Sequence, residues 1–440
     1  MYHSEALTQI DHQHLWHPFT QQQEWCAEEP LIIVSGKGVY LRDIHDRDYI
    51  DGNSSIWTNI HGHSHPHIVA AIQRQAAQLD HTSFLGTTHP TAIELAKRLV
   101  ALFPGTPLSR VFFSDNGSTA IESALKMTFQ YWQLVGHPEK NRFVAFSNCY
   151  HGDTAGAASL GGLSLVTDRF SEMHFPCDRV GSMIELKAFP HLKSIAAIIL
   201  EPLIQGVAGM RPWPAGMLQE LRTLCDKHNI LLILDEVMTG FGRTGTMFAC
   251  QQEEVVPDIL ACAKGLTGGT VPLAATMIKE KIYEAFLGTY AEQKTFCYGH
   301  SYTAHPIGCA AALACLDVFE QEEVLKKLPK KIAHLTQALA KLKNFSPVAE
   351  IRQCGLIAGI DIALDTSTNK PYPWQDRIGA KICKAAMKHG LLTRPLRYTG
   401  GCDTIVFMPP LCITTEQIDQ AVEALGKAIE ECLVNPHISR

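Results

Sequence analysis

Four places along the chain set polar residues where an apolar run ends, and together they could carry covalent chemistry on a small molecule. Lys264 closes PDILACAK just before the glycine-rich GLTGG. Burial disfavours the charged form of an amine, which makes a lysine at such a position a Schiff-base nucleophile. Asp235 closes the earlier run LLILD, at an interval that leaves room for one element before the adjacent strand. Its carboxylate would hold a ring nitrogen in the protonated form. Tyr150, in NCYHGDTAGA, offers a flat ring with His151 and Asp153 as polar neighbours. Gly117 and Ser118, in SDNGSTAIESALK, sit where a strand gives way to a helix, so free N–H groups, the helix dipole and a hydroxyl would meet an anion. Each has a plain structural explanation on its own: a serine cap, a packing tyrosine, an aspartate in a turn, a lysine at a strand exit. As a set they need one ligand.

A phosphate, an aromatic plane, a ring nitrogen and an aldehyde carbon together describe pyridoxal 5'-phosphate. The elements that must position these groups are short, continuously apolar runs alternating with helix-length segments: RVFFSD to Asp115, RFVAFSN to Asn148, AAIILEP to Pro202 and NILLILDE to Glu236. Such runs predict strands buried on both faces of a mostly parallel sheet, an α/β core whose ligand lies outside the carboxyl edge of the strands. Near the C-terminus, Thr414 and Gln417 form a capping box ahead of Ile418, Ala421, Val422, Leu425 and Ile429 at helical spacing. At 440 residues the chain exceeds one core. The expected division is an N-terminal segment 1–75, a large cofactor-binding domain 76–325 and a small C-terminal domain 326–440.

Composition narrows the function classes. With 46% hydrophobic and 19% charged residues the chain has ample surface to bury, and its net charge of −6 argues against binding nucleic acid. Fourteen cysteines lie scattered from Cys26 to Cys432 without a CxxC pair, which predicts reduced thiols. No stretch has the length to span a bilayer and the first twenty residues lack a signal-peptide core, so cytoplasmic residence is expected, with small molecules as partners.

The segments DEVMTGFGRTG from Asp235 and AKGLTGG from Ala263 resemble the class III aminotransferases, and the likeness runs through nearly the whole chain. The resemblance implies fold type I: a large domain around a mostly parallel sheet, and a smaller α+β domain formed by the C-terminal part with the N-terminal segment. It implies that Lys264 links to the cofactor, Asp235 faces the ring nitrogen, Val237 and Tyr150 pack on opposite ring faces, and Gly117 and Ser118 hold the phosphate. YGHSYTAHPIGCAAA, from Tyr298 to Ala312, resembles the family loop that reaches the phosphate of a neighbouring subunit through Ser301, with His300 beside it and Gly299 toward the substrate. A homodimer with shared active sites follows from that likeness.

Within the class, LWHPFTQ from Leu15, DGNSSIWTNIHGHSHP from Asp51 and YHGDT from Tyr150 resemble the subgroup that aminates 8-amino-7-oxononanoate in biotin biosynthesis. That likeness puts Arg394, in LLTRPL, against the acceptor's carboxylate, with Arg243 as a second candidate. Members using S-adenosylmethionine as donor typically carry Tyr where this chain has Phe19 and Trp where it has Ile56, followed here by Trp57. A branch using L-lysine tolerates such changes and has a loop closer to GHSYT. Prevalence in the subgroup favours S-adenosylmethionine, and L-lysine remains the alternative.

Three rival readings stand beside this one. An ω-amino acid, ornithine or 4-aminobutyrate aminotransferase would share the cofactor, but SSIW and LWHPF speak against it. GFGRTG, from Gly240, fits the glycine pattern of an NAD-dependent dehydrogenase, yet it begins beyond the strand end and no helix-favouring stretch follows. HGHSHPH, His61 to His67, alternates four histidines that would suit a metal module, although structural zinc sites use wider paired spacings.

Overall fold

In the computed structural model, which describes residues 4–163, 168–397 and 401–434, all four apolar runs are strands of one seven-stranded sheet. Its strands are β1 (Leu108–Ser114), β2 (Arg142–Phe146), β3 (Asp178–Val180), β4 (Ile195–Leu200), β5 (Leu231–Asp235), β6 (Ile259–Cys262) and β7 (Ala274–Lys279). They lie in the order β1-β7-β6-β5-β4-β2-β3. Neighbours from β6 through β3 are parallel, and β7 runs antiparallel to both β6 and β1. Every residue of β4, β5 and β6 is buried. Burying one Ile, Leu or Val side chain contributes roughly 1.5–3 kcal/mol, so no position inside these strands accommodates a charge, and the polar residues collect at the strand ends.

Two smaller sheets flank this core. One contains Ile33–Lys37, Tyr40–Asp43 and Asp48–Asp51 and is completed by Leu391–Leu392, which pairs in parallel with the last of them. The other joins Val348–Cys354, Ile357–Ile362, Asp403–Phe407 and Arg394–Leu396. The N-terminal segment is therefore built into the C-terminal part of the fold, as expected for the smaller α+β unit. Two further bonds fasten it there: Met408 N–H to Gly52 O at 2.7 Å and Ser54 Oγ to Met408 O at 2.7 Å. The helix Pro66–Gln78 runs through residue 75 and packs on the helix Pro306–Gln321, which joins the N-terminal segment to the large domain without a linker.

The helix Thr415–Ile429 starts with the expected capping box. Thr414 Oγ1 accepts the Gln417 N–H at 3.2 Å, and Gln417 Oε1 accepts the Thr414 N–H at 2.9 Å. Ile418, Ala421, Val422, Leu425 and Ile429 form its buried face. Among the described residues no helix is long and apolar enough to cross a membrane.

Candidate active site

The carboxyl ends of β1, β2, β4, β5 and β6 open onto one cavity of ≈ 1080 Å³, at the upper end of the range for small-molecule clefts. Gly117, Ser118, Tyr150, Asp235, Val237 and Lys264 line it together, as do Phe19, Ile56, Trp57 and Arg394 from the flanking segments. Phe19 and Arg394, 375 positions apart, thus share one wall because the N-terminal strands and Leu391–Leu392 form one sheet.

At one end of the cavity the helix Gly117–Leu134 begins. Asn116 caps it by accepting the Thr119 N–H at 3.1 Å. Helix geometry leaves the N–H groups of Gly117 and Ser118 without intrahelical acceptors, an arrangement that suits an anion. A Cβ on Gly117 would lie 2.7 Å from Val237 Cγ1, so only glycine lets the helix start approach the Val237 wall. Ser118 Oγ accepts the Asp153 N–H at 3.2 Å and ties the helix to the loop carrying Tyr150.

The opposite end is charged. Asp235 ends β5 nearly buried, its Oδ1 accepting the Val237 N–H at 3.0 Å and its Oδ2 lying 2.7 Å from His151 Nδ1. Burial opposes a charge on His151, but Cys149 and the Asp235 carboxylate beside it hold its pKa well above the ordinary value. Tyr150 stands in the next position. Its hydroxyl donates to Asp153 Oδ2 at 2.8 Å, while burial and that carboxylate raise its pKa.

Lys264 follows β6 with a φ of 42°, the left-handed region that costs a non-glycine residue on the order of 1–3 kcal/mol. Trp57 and Phe19, also in the cavity wall, share this conformation with φ of 61° and 52°. The Lys264 ammonium lies 4.7 Å from the centroid of the Trp57 ring, whose indole N–H donates to Asn53 Oδ1 at 3.0 Å. Burial pulls the Lys264 pKa down to about 8, against the opposing pull of the Asp235 and Glu201 carboxylates.

Glu201 is a further carboxylate in the cavity wall, outside the motifs singled out in the sequence. It follows β4, and because Leu234 pairs with Leu200 it leaves the sheet beside Asp235. Burial pushes its pKa up to about 7, partly offset by His151. The signal was present, since Glu201 closes AAIIL as Asp235 closes LLILD.

Other expectations are redistributed. Gly299, His300 and Ser301 do not line the cavity of their own chain. His300 Nδ1 instead lies 3.0 Å from Asp115 Oδ2 at the cavity rim, and its Nε2 lies 2.9 Å from the Tyr298 hydroxyl. Arg243 is not a cavity residue: it is buried, and its guanidinium donates to Asn59 O at 2.9 Å and Pro409 O at 2.5 Å. Burial lowers its pKa to about 9. Gly240–Gly245 is a chain of turns that leads into no α-helix, unlike a dinucleotide fingerprint. The four alternating histidines take four different partners, Cys315 O, Asp51, Glu322 and Asp317, which disperses them as metal ligands.

A family model described as aminotransferase class-III matches residues 22–429. The chain belongs to the class III aminotransferases. Among the relatives of this aminotransferase is an adenosylmethionine-8-amino-7-oxononanoate aminotransferase of Geobacter sulfurreducens, 44% identical over 97% of this chain and 98% of that one. The crystal structure of the enzyme of that name from Methanocaldococcus jannaschii superposes with a TM-score of 0.93 at 38% identity, over 98% of this chain and 99% of that one. An amine transaminase from an uncultivated Pseudomonas species, in a PLP-bound form, superposes with a TM-score of 0.90 at 33% identity, covering 95% and 99% of the two chains.

An amine with a pKa near 8 becomes nucleophilic well below the range of a surface lysine. Acylation of Lys264 in the cofactor-free aminotransferase, followed by peptide mass mapping across pH 6–11, is therefore expected to rise with a midpoint of about 8. A midpoint near 10.5, the ordinary value of a lysine, would contradict the burial argument.

Proposed function

We propose that this aminotransferase holds pyridoxal 5'-phosphate in the cavity and transfers an amino group to 8-amino-7-oxononanoate, with S-adenosylmethionine as donor. The observation that carries the reading is the meeting of the Gly117–Ser118 helix start, Asp235 and Lys264 in one cavity. The fit to the cofactor is chemical: an anion site at one end, a carboxylate for a pyridinium at the other, and a weakly basic amine between flanking side chains. When bound, pyridoxal phosphate supplies an electron sink that eases loss of a proton from the carbon bearing the amino group.

The chain's own groups do the rest. The N–H groups of Gly117 and Ser118 and the Ser118 hydroxyl hold the phosphate. Asp235, oriented by His151, keeps the ring nitrogen protonated. Val237 and Tyr150, both in the cavity wall, would hold the flat ring between them. Lys264 Nζ would hold the cofactor through its aldehyde carbon and, as a free amine, would carry the proton taken from the donor carbon. Donor and acceptor use the same site in turn, so the kinetics are ping-pong.

Arg394 supports the acceptor assignment. It lies exposed at the cavity wall, and among the described residues no carboxylate pairs with it, which leaves a guanidinium for the acceptor's carboxylate. Phe19 and Ile56, the positions where a hydroxyl and an indole are typical of S-adenosylmethionine users, are both exposed in the wall, and they favour L-lysine as a second donor reading. Gly299–Ser301, set apart from its own cavity, supports a homodimer in which this loop serves the partner's phosphate site. Fourteen free cysteines support work in a reducing compartment, the cytoplasm.

Separate additions of S-adenosylmethionine and L-lysine to the loaded enzyme, followed by loss of its visible absorbance, test the donor. Loss with S-adenosylmethionine supports the proposal, and loss with L-lysine alone transfers it to the second donor. Arg394→Ala is expected to raise the acceptor KM by about 10- to 100-fold, the effect of one charge-assisted pair, with the donor KM moved less than about threefold. An equal rise for both substrates would remove Arg394 from the acceptor site.

A further inference from the structure

Four carboxylates line the cavity, and three of them have side-chain partners. Asp115 lies against His300, Asp153 accepts the Tyr150 hydroxyl, and Asp235 meets His151. Glu201 has none among the described residues. Its Oε1 accepts the Tyr150 N–H at 3.2 Å and its Oε2 accepts the Gly206 N–H at 2.8 Å. These two bonds fix the carboxylate's plane but fill two of about four lone-pair positions. A nearly buried carboxylate without a cation is costly unless something completes it, and here the open side is the cavity.

The cations of the cavity are otherwise occupied. Arg397 donates to Asp403 Oδ2 at 3.3 Å and to Tyr372 O at 2.7 Å, and His151 is engaged by Asp235. Lys264, the group that works on the reacting carbon, is close enough to feel the charge of Glu201 without forming an ion pair with it. Apart from Lys264, Glu201 and Arg394 are the charges in the wall left without an ion-pair partner among the described residues, and their signs are opposite.

We propose that Glu201 is a specificity-determining residue that receives the non-reacting ammonium group of an α-amino ketone, carried on the carbon next to the carbonyl carbon that is aminated. Arg394 takes the carboxylate at the far end of the same substrate. The inference rests on the aminotransferase reading of the cavity and refines its acceptor: the site reads an amine adjacent to the carbonyl as well as a distant acid. An acceptor lacking that amine leaves a buried carboxylate unpaired, and rejection follows from that cost rather than from shape.

The test compares 8-amino-7-oxononanoate with 7-oxononanoate, which differs only in lacking the amine, through KM values and through calorimetric dissociation constants on the holoenzyme. The natural chain is expected to prefer the amino ketone by about 10- to 100-fold. In Glu201→Gln the preference is expected to fall to within about threefold of unity, and Glu201→Asp is expected to retain part of it. A preference that survives in the Gln variant, or a natural chain without one, overturns the inference. Should the natural chain bind neither nonanoate, the acceptor assignment falls, and aminoacetone against butanone decides Glu201 alone. A preference for aminoacetone that disappears in Glu201→Gln supports the subsite, and equal binding overturns it.

Discussion

A carboxylate at the end of a fully buried strand has to find a partner, and the 2.7 Å contact between Asp235 and His151 is the one on which the arrangement of the site depends. It joins β5 to the loop after β2, across the strand β4 that lies between them. Fixing His151 fixes its neighbour Tyr150, whose N–H then meets Glu201 at the end of β4. The Tyr150 loop closes on Ser118 through Asp153. Three strand ends and a helix start are thereby held in one geometry by short polar contacts over an apolar sheet, where a low dielectric strengthens each of them.

A second constraint brings in the rest of the wall. The buried Arg243 guanidinium binds carbonyl oxygens of both the N-terminal segment, at Asn59, and the C-terminal part, at Pro409. Three remote stretches of chain are drawn to one cation. Removing them from each other would leave that cation buried and unpaired, so the walls carrying Trp57 and Arg394 stay in register with the strand ends that carry Lys264 and Asp235. The left-handed backbone at Phe19, Trp57 and Lys264 persists because this packing overdetermines it.

Much of this was legible in the sequence, for a definite reason. Where strands are buried on both faces, the first polar residue after an apolar run marks the sheet edge, as Asp235 and Lys264 do, and the loops that follow such edges carry Tyr150 and Ser118. The Thr414–Gln417 capping box was legible because it is local. Glu201 obeys the same rule as Asp235 but passed as the end of a strand, since nothing local distinguishes a cavity-facing carboxylate from a turn. Arg243 read as a candidate for a substrate's acid because its partners are backbone carbonyls 166 and 184 residues away, which carry no sequence signal. The antiparallel course of β7 was equally hidden: direction depends on the connection that precedes a strand, and AATMIK reads as a buried strand in either sense. The pairing of His300 with Asp115 is likewise a long-range contact that residue types alone do not specify.

The measurement that bears most directly on the account is reductive trapping of the cofactor. Enzyme loaded with pyridoxal phosphate is reduced with borohydride, digested and mapped by mass spectrometry. The account predicts a single phosphopyridoxyl increment, on the peptide containing Lys264, absent when Lys264→Ala is treated in the same way. Labelling of a different lysine, or equal labelling in the Lys264→Ala variant, would contradict it.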